Sequence, residues 1–169
     1  FDKKGGKKVA YAPSLGIEQF NDTQQQFIYQ HIQDFDALSC RETVGAKFLS
    51  SLVGKDVPCV VDPTLLLSKE EWHSIAIKPT QNHKYIFVYD LNGAENLIYM
   101  AHELKKKHNL PIVCLTSKAH KFYKVDLQIY DAGPREFIGW IENAEYVITD
   151  SFHGTIFSLI FGKEFYTYI

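Results

Sequence analysis

The stretch Tyr146-Val147-Ile148-Thr149-Asp150-Ser151-Phe152-His153-Gly154-Thr155 passes from a largely β-branched run directly into a helix-like segment. The run over 146–149 predicts a strand, Ser151 is a favourable N-cap, and a helix is expected over 152–161 with Gly162 as its stop. A further strand is expected over 164–169. Strand, helix and strand in such close succession build parallel sheets, because parallel neighbours need a crossover between them. The same alternation extends outward through the chain. Strands are predicted at 8–12, 37–40, 57–61, 85–89, 111–115 and 125–130. Helices are predicted at 18–33 and 42–53, after the Ser68 and Glu71 capping pair, from about 94 with Leu97, Ala101 and Leu104 as the buried stripe, and from Pro134 with Phe137 and Ile141 inward. The fold class is therefore α/β with mostly parallel strands. The polar, proline-broken segment 78–84 interrupts the pattern, so the expected organisation is a half over 1–77, a linker over 78–84 and a second half over 85–169.

Composition narrows the function classes. Of 169 residues, 46% are apolar and 14% aromatic, which excludes a disordered chain. Eighteen Lys and Arg against twenty Asp and Glu leave a net charge of -2, so no broad positive field draws the protein to nucleic acid or to an anionic membrane. No apolar run approaches the roughly 18 to 20 residues of a transmembrane helix. Cys40, Cys59 and Cys114 are widely spaced without a C-x-x-C pair and read as reduced thiols of a cytoplasmic protein. The histidines show no H-x-x-x-H pair, so neither a metal site nor a cofactor is expected. The chain lacks an initiator methionine, Met100 being its sole methionine, and it stops at YTYI inside an expected strand. It reads as an interior fragment whose unfinished sheet edges a homo-oligomeric partner or further segments would cover.

In α/β sheets, ligands bind beyond the carboxyl ends of the strands. At the end of the 146–149 strand, the helix start that Ser151 caps places His153 and Gly154 in a first turn whose amides and dipole favour an anion. An imidazole there can donate to a phosphate oxygen or move a proton, although an ordinary capped helix with a surface histidine reads equally well. Asp150 either orients His153 or binds backbone amides. A second strand end carries Ser39-Cys40-Arg41-Glu42-Thr43. Arg41 and Arg135 are the two arginines among otherwise lysine cations, and a guanidinium can offer paired donors to a carboxylate or phosphate. The alternative for Arg41 is an ion pair with Glu42 or another neighbour, and Arg135 reads as solvated. Cys40 points to the core. Asp62-Pro63-Thr64 reads as a structural turn, while Ser14 and Gly16 end the first strand where they can line a cleft.

Four segments together, VAYAPSLG at 9–16, ALSCRET at 37–43, VVDPTLLL at 60–67 with EEW at 70–72, and YVITDSFHGT at 146–155, resemble the polysaccharide pyruvyl transferase family. The resemblance implies two Rossmann-like halves facing over a cleft, similar to the B-type glycosyltransferase fold, with family segments expected before residue 1 and beyond 169. It implies transfer of a pyruvyl group from phosphoenolpyruvate to a sugar hydroxyl of a cell-surface polysaccharide or its precursor. On that reading Arg41 clamps the donor's carboxylate or phosphate, with Ser14 and Glu42 beside it. His153 moves the proton, and Asp150, Ser151, Phe152 and Gly154 surround the phosphate. A cytoplasmic enzyme at the inner membrane face, brought there by a lipid-linked acceptor, follows from the same resemblance. A nucleotide-sugar glycosyltransferase and a non-catalytic sugar- or phosphate-binding paralogue are the competing readings.

Overall fold

Strand and helix alternate throughout the computed structural model, which describes residues 5–16, 19–118 and 120–168. The chain divides into two units, Phe1–Leu66 and Leu67–Ile169. In the first, β1 (Val9–Ala10) pairs in parallel with β2 (Ala37–Leu38), joined by α1 (Asp22–Ile32). Then come α2 (Thr43–Val53) and a 3₁₀ turn (Pro63–Leu66). Cys40, Ala46, Leu49 and Val57 form its core, with Leu15, Ile28 and Phe48 packed around them.

Two expectations shift here for local reasons. Helix α1 starts at Asp22 because Asn21 and Gln24 form a reciprocal capping box, whereas Glu18, the expected start, lies outside the described residues. The strand expected at 57–61 contracts to one parallel bridge between Cys40 and Cys59. Cys40 N–H donates to the Pro58 carbonyl and Val60 N–H to the Cys40 carbonyl, but Pro58 has no N–H with which to extend the ladder.

The second unit is built on a five-stranded parallel sheet in the order β5-β4-β3-β6-β7. Its strands are β3 (Ile86–Asp90), β4 (Ile112–Thr116), β5 (Leu127–Ile129), β6 (Tyr146–Thr149) and β7 (Glu164–Thr167). Along β3 the side chains alternate between faces. Ile86 and Val88 pack with Leu97, Ala101 and Leu104 of α4 (Glu95–His108). Phe87 and Tyr89 pack with α5 (Pro134–Asn143) and α6 (Phe152–Phe161). Helices on both faces explain why the central strands are nearly continuous apolar runs. The chain proceeds outward from β3 to β5 and then returns to β6 on β3's other side. That reversal opens a crevice between the loops leaving β3 and β6.

The expected linker 78–84 lies inside this unit, and the division falls instead between Leu66 and Leu67. Short helix α3 (Lys69–Ile75) is the cause. Its Trp72 meets Phe157 edge-on at 5.0 Å, and Ile77 N–H donates to the Arg135 carbonyl at 3.0 Å. Arg135 is exposed, in line with the solvated reading, and also donates from Nε to the Ile75 carbonyl at 2.7 Å. Among the described residues, no helix is long and apolar enough to cross a membrane.

Candidate active site

A cavity of about 360 Å³ opens beyond the carboxyl ends of the second unit's strands. Tyr89, Leu91 and Leu115 form one wall, Pro134 and Phe137 the α5 side, and His153 with Phe157 the α6 side. Its apolar lining is braced by aromatic contacts: Tyr89 to Phe137 at 4.6 Å and Phe137 to Phe157 at 5.8 Å. Burial, and after it the Asp150 carboxylate, pushes the Tyr89 phenol up, so it stays a neutral donor. His153 is exposed at this cavity, and its ring meets that of Phe152 edge-on at 5.3 Å.

The turn carrying His153 is rigid for reasons written into its neighbours. Buried Ser151 is the N-cap of α6, its Oγ accepting the Gly154 N–H at 3.4 Å. Thr149 Oγ1 donates to the Tyr89 carbonyl at 2.9 Å and accepts the Ser151 N–H at 3.0 Å, stitching β6 to β3. A Cβ on Gly154 would lie 2.5 Å from that same Thr149 Oγ1. The glycine is therefore required by the close approach of α6 to β6, and the cap accounts for Ser151 and Gly154 without a ligand. Gly154→Ala is expected to destabilise the protein by about 1–3 kcal/mol through overpacking, read as a lower unfolding midpoint. An unchanged midpoint would show that the helix can lift from the strand freely.

Of the two roles open to Asp150, the structure shows the second. Its Oδ1 accepts the Leu91 N–H and its Oδ2 the Asn92 N–H, each at 2.9 Å. It thus ties the β3 loop to the β6 loop across the crevice. Asp90, which sequence reasoning passed over, does the same on the other side. Fully buried, it accepts the Gly93 and Ala94 amides at Oδ1 and the Thr116 and Tyr123 hydroxyls at Oδ2. The strand-end rule that singled out Asp150 also applies to Asp90, since both close a strand of the same sheet.

The first unit gathers the remaining candidates. Arg41 donates from Nη1 to Asp62 Oδ2 at 2.6 Å and from Nε to Glu42 Oε1 at 3.4 Å. Glu42 Oε2 accepts the Leu15 N–H at 3.3 Å and the Cys40 thiol at 3.2 Å, and Ser14 donates to the same carboxylate. Burial disfavours charge on Glu42, but these hydrogen bonds outweigh it and hold the carboxyl below its usual range. Ser14, Arg41 and Glu42 thus form one network, with Asp62 added by the structure. Burial also pushes the Cys40 thiol up, consistent with a core residue rather than a nucleophile. Phe152, Asp150, Ser151, His153 and Gly154 belong to the other unit. Among the described residues, no cluster of histidine, cysteine and carboxylate has the makings of a metal site.

Parallel strands in both units, with a histidine at a strand-end cavity in one unit and a braced arginine in the other, define an α/β protein. The polysaccharide pyruvyl transferase family matches residues 1–168, so the chain belongs to that family. No curated protein matches it.

Proposed function

We propose that this protein transfers the pyruvyl group of phosphoenolpyruvate to a hydroxyl of a sugar destined for a cell-surface polysaccharide. The observation that carries the proposal is His153, exposed at the cavity beyond the sheet's crevice on a turn made rigid by Ser151, Thr149 and Gly154. Family membership implies pyruvyl transfer and a carbohydrate acceptor. The donor and the roles of residues are our own reading.

In this mechanism protonated His153 gives its proton to the methylene carbon of the enol phosphate. The neighbouring carbon becomes electrophilic, a sugar hydroxyl adds to it, and its proton passes to solvent or back to the imidazole. A second sugar hydroxyl then displaces inorganic phosphate, which carries off that hydroxyl's proton, to close a ketal. Histidine suits this exchange because an imidazole can both give and accept a proton. Arg41 offers a guanidinium to the donor's carboxylate or phosphate. A B-type glycosyltransferase-like arrangement, a cytoplasmic site of action and a lipid-linked acceptor belong to the same proposal.

One observation favours the nucleotide-sugar reading as a competitor. A second cavity, lined by Asn92, Gly93, Ser117, Lys118, His120 and Lys121, shares Ser117 with the first and offers cations of the kind a diphosphate needs. The test is calorimetric titration of phosphoenolpyruvate against a nucleotide sugar. Saturable phosphoenolpyruvate binding that weakens in Arg41→Ala and in His153→Ala is the expected result. Preference for the nucleotide sugar would replace pyruvyl transfer with glycosyl transfer.

A further inference from the structure

We infer that Asp62 is a positioning residue for anion binding by Arg41: locked by Thr64, it fixes the direction in which the guanidinium meets a carboxylate or phosphate. The inference rests on the anion-binding role proposed for Arg41.

Asp62 is only 4% exposed, and its two oxygens are used differently. Oδ1 accepts the Thr64 N–H at 3.0 Å and the Thr64 hydroxyl at 2.7 Å. Oδ2 accepts Arg41 Nη1 at 2.6 Å. The carboxylate is thus oriented by its own turn, and its remaining oxygen is aimed at the arginine. The Asp-Pro-Thr sequence produces this locally, since an aspartate commonly bonds the amide two residues on.

The location makes the pair more than a staple. Arg41 directly follows Cys40 and Asp62 lies just beyond Cys59, and these two cysteines form the parallel bridge of the first unit. Both residues therefore follow the same parallel bridge, beyond the carboxyl end of β2, on the side where α/β sheets bind ligands. Stability alone is a poor reason for the pair. Withdrawing two charges from water costs much of what their attraction returns, and well-packed apolar residues of similar volume often serve a fold as well. An arginine meant to meet a planar anion gains from being held, because a long side chain that must be ordered at each binding event binds more weakly. Glu42, on the Nε side, supports the same orientation.

The experiment is calorimetric titration of phosphoenolpyruvate into the whole chain, comparing wild type, Arg41→Ala, Asp62→Asn and the double variant, with thermal unfolding followed for each. Asp62→Asn is expected to weaken binding about tenfold or more, because small misplacements of a binding group cost this much. It should add nothing further in the Arg41→Ala background. Thr64→Val keeps both charges and the Thr64 N–H bond but removes the hydroxyl half of the lock, so a severalfold weakening is expected even if Asp62→Asn folds poorly. Wild-type binding by both Asp62→Asn and Thr64→Val, or an equal loss with and without Arg41, would overturn the positioning role and leave the donor reading standing. Unchanged binding by Arg41→Ala would overturn the role of Arg41 and this inference with it.

Discussion

Replacing His153 with alanine is expected to lower pyruvyl transfer by about 10²- to 10⁴-fold, the usual contribution of a positioned acid or base. The measurement is phosphate released from phosphoenolpyruvate in the presence of a carbohydrate acceptor. The variant is informative because His153 is exposed at the cavity mouth, so its side chain can be removed without opening the core. Its unfolding free energy should stay within about 0.5 kcal/mol of wild type, as for most surface changes. Gln at this position separates binding from proton transfer. Its amide can donate a hydrogen bond to phosphate but cannot carry the proton, so His153→Gln should retain phosphoenolpyruvate binding and remain nearly as slow as alanine. Full activity in either variant would remove His153 from the mechanism.

Gly139→Ala is expected to cost about 3 kcal/mol or more, the upper end of overpacking penalties. A Cβ at Gly139 would lie 1.9 Å from the Ile77 carbonyl oxygen and 2.7 Å from its carbon. Backbone cannot turn aside as a flexible side chain can. It is also tethered, since the Ile77 N–H donates to the Arg135 carbonyl of the same helix α5. Relief therefore requires the segment after α3 to lift away or α5 to tilt. Either motion disturbs the core made by Ile138, Trp140 and Ile141. Thermal unfolding should show a fall of roughly 6–12 °C for a chain of this size. A loss below about 1 kcal/mol would contradict the close seating of the 76–77 backbone on α5. The effect should also reach the cavity, because Pro134 and Phe137 line it from the same helix.

Local chemistry was legible wherever cause and effect lie within a turn or two of helix. Ser68 and Glu71 form their capping box, Pro134 opens α5, and Leu97, Ala101 and Leu104 are the buried residues of α4. The α/β class followed from repeating such units in order, and the family from the resemblance of the four motif segments. The same locality misled at 57–61, where a β-branched run suggested a strand but Pro58 left room for a single bridge. The division of the chain was equally hidden. Trp72 could anchor α3 to either side, and only its contact with Phe157 decides which.

The sequence by itself determined the alternating βα pattern, the capped turn before His153 and the candidacy of both His153 and Arg41, because helix caps and strand periodicity are short-range effects. Tertiary structure alone decided how the candidates are used. Asp150 meets Leu91 and Asn92, Arg41 meets Asp62, and Gly154 makes room for Thr149. Charge and size declare what each residue can do, but a carboxylate in a parallel sheet can bond to any of several loops. The crossovers that bring one strand end beside another select the partner, and they are set by the packing of the whole unit.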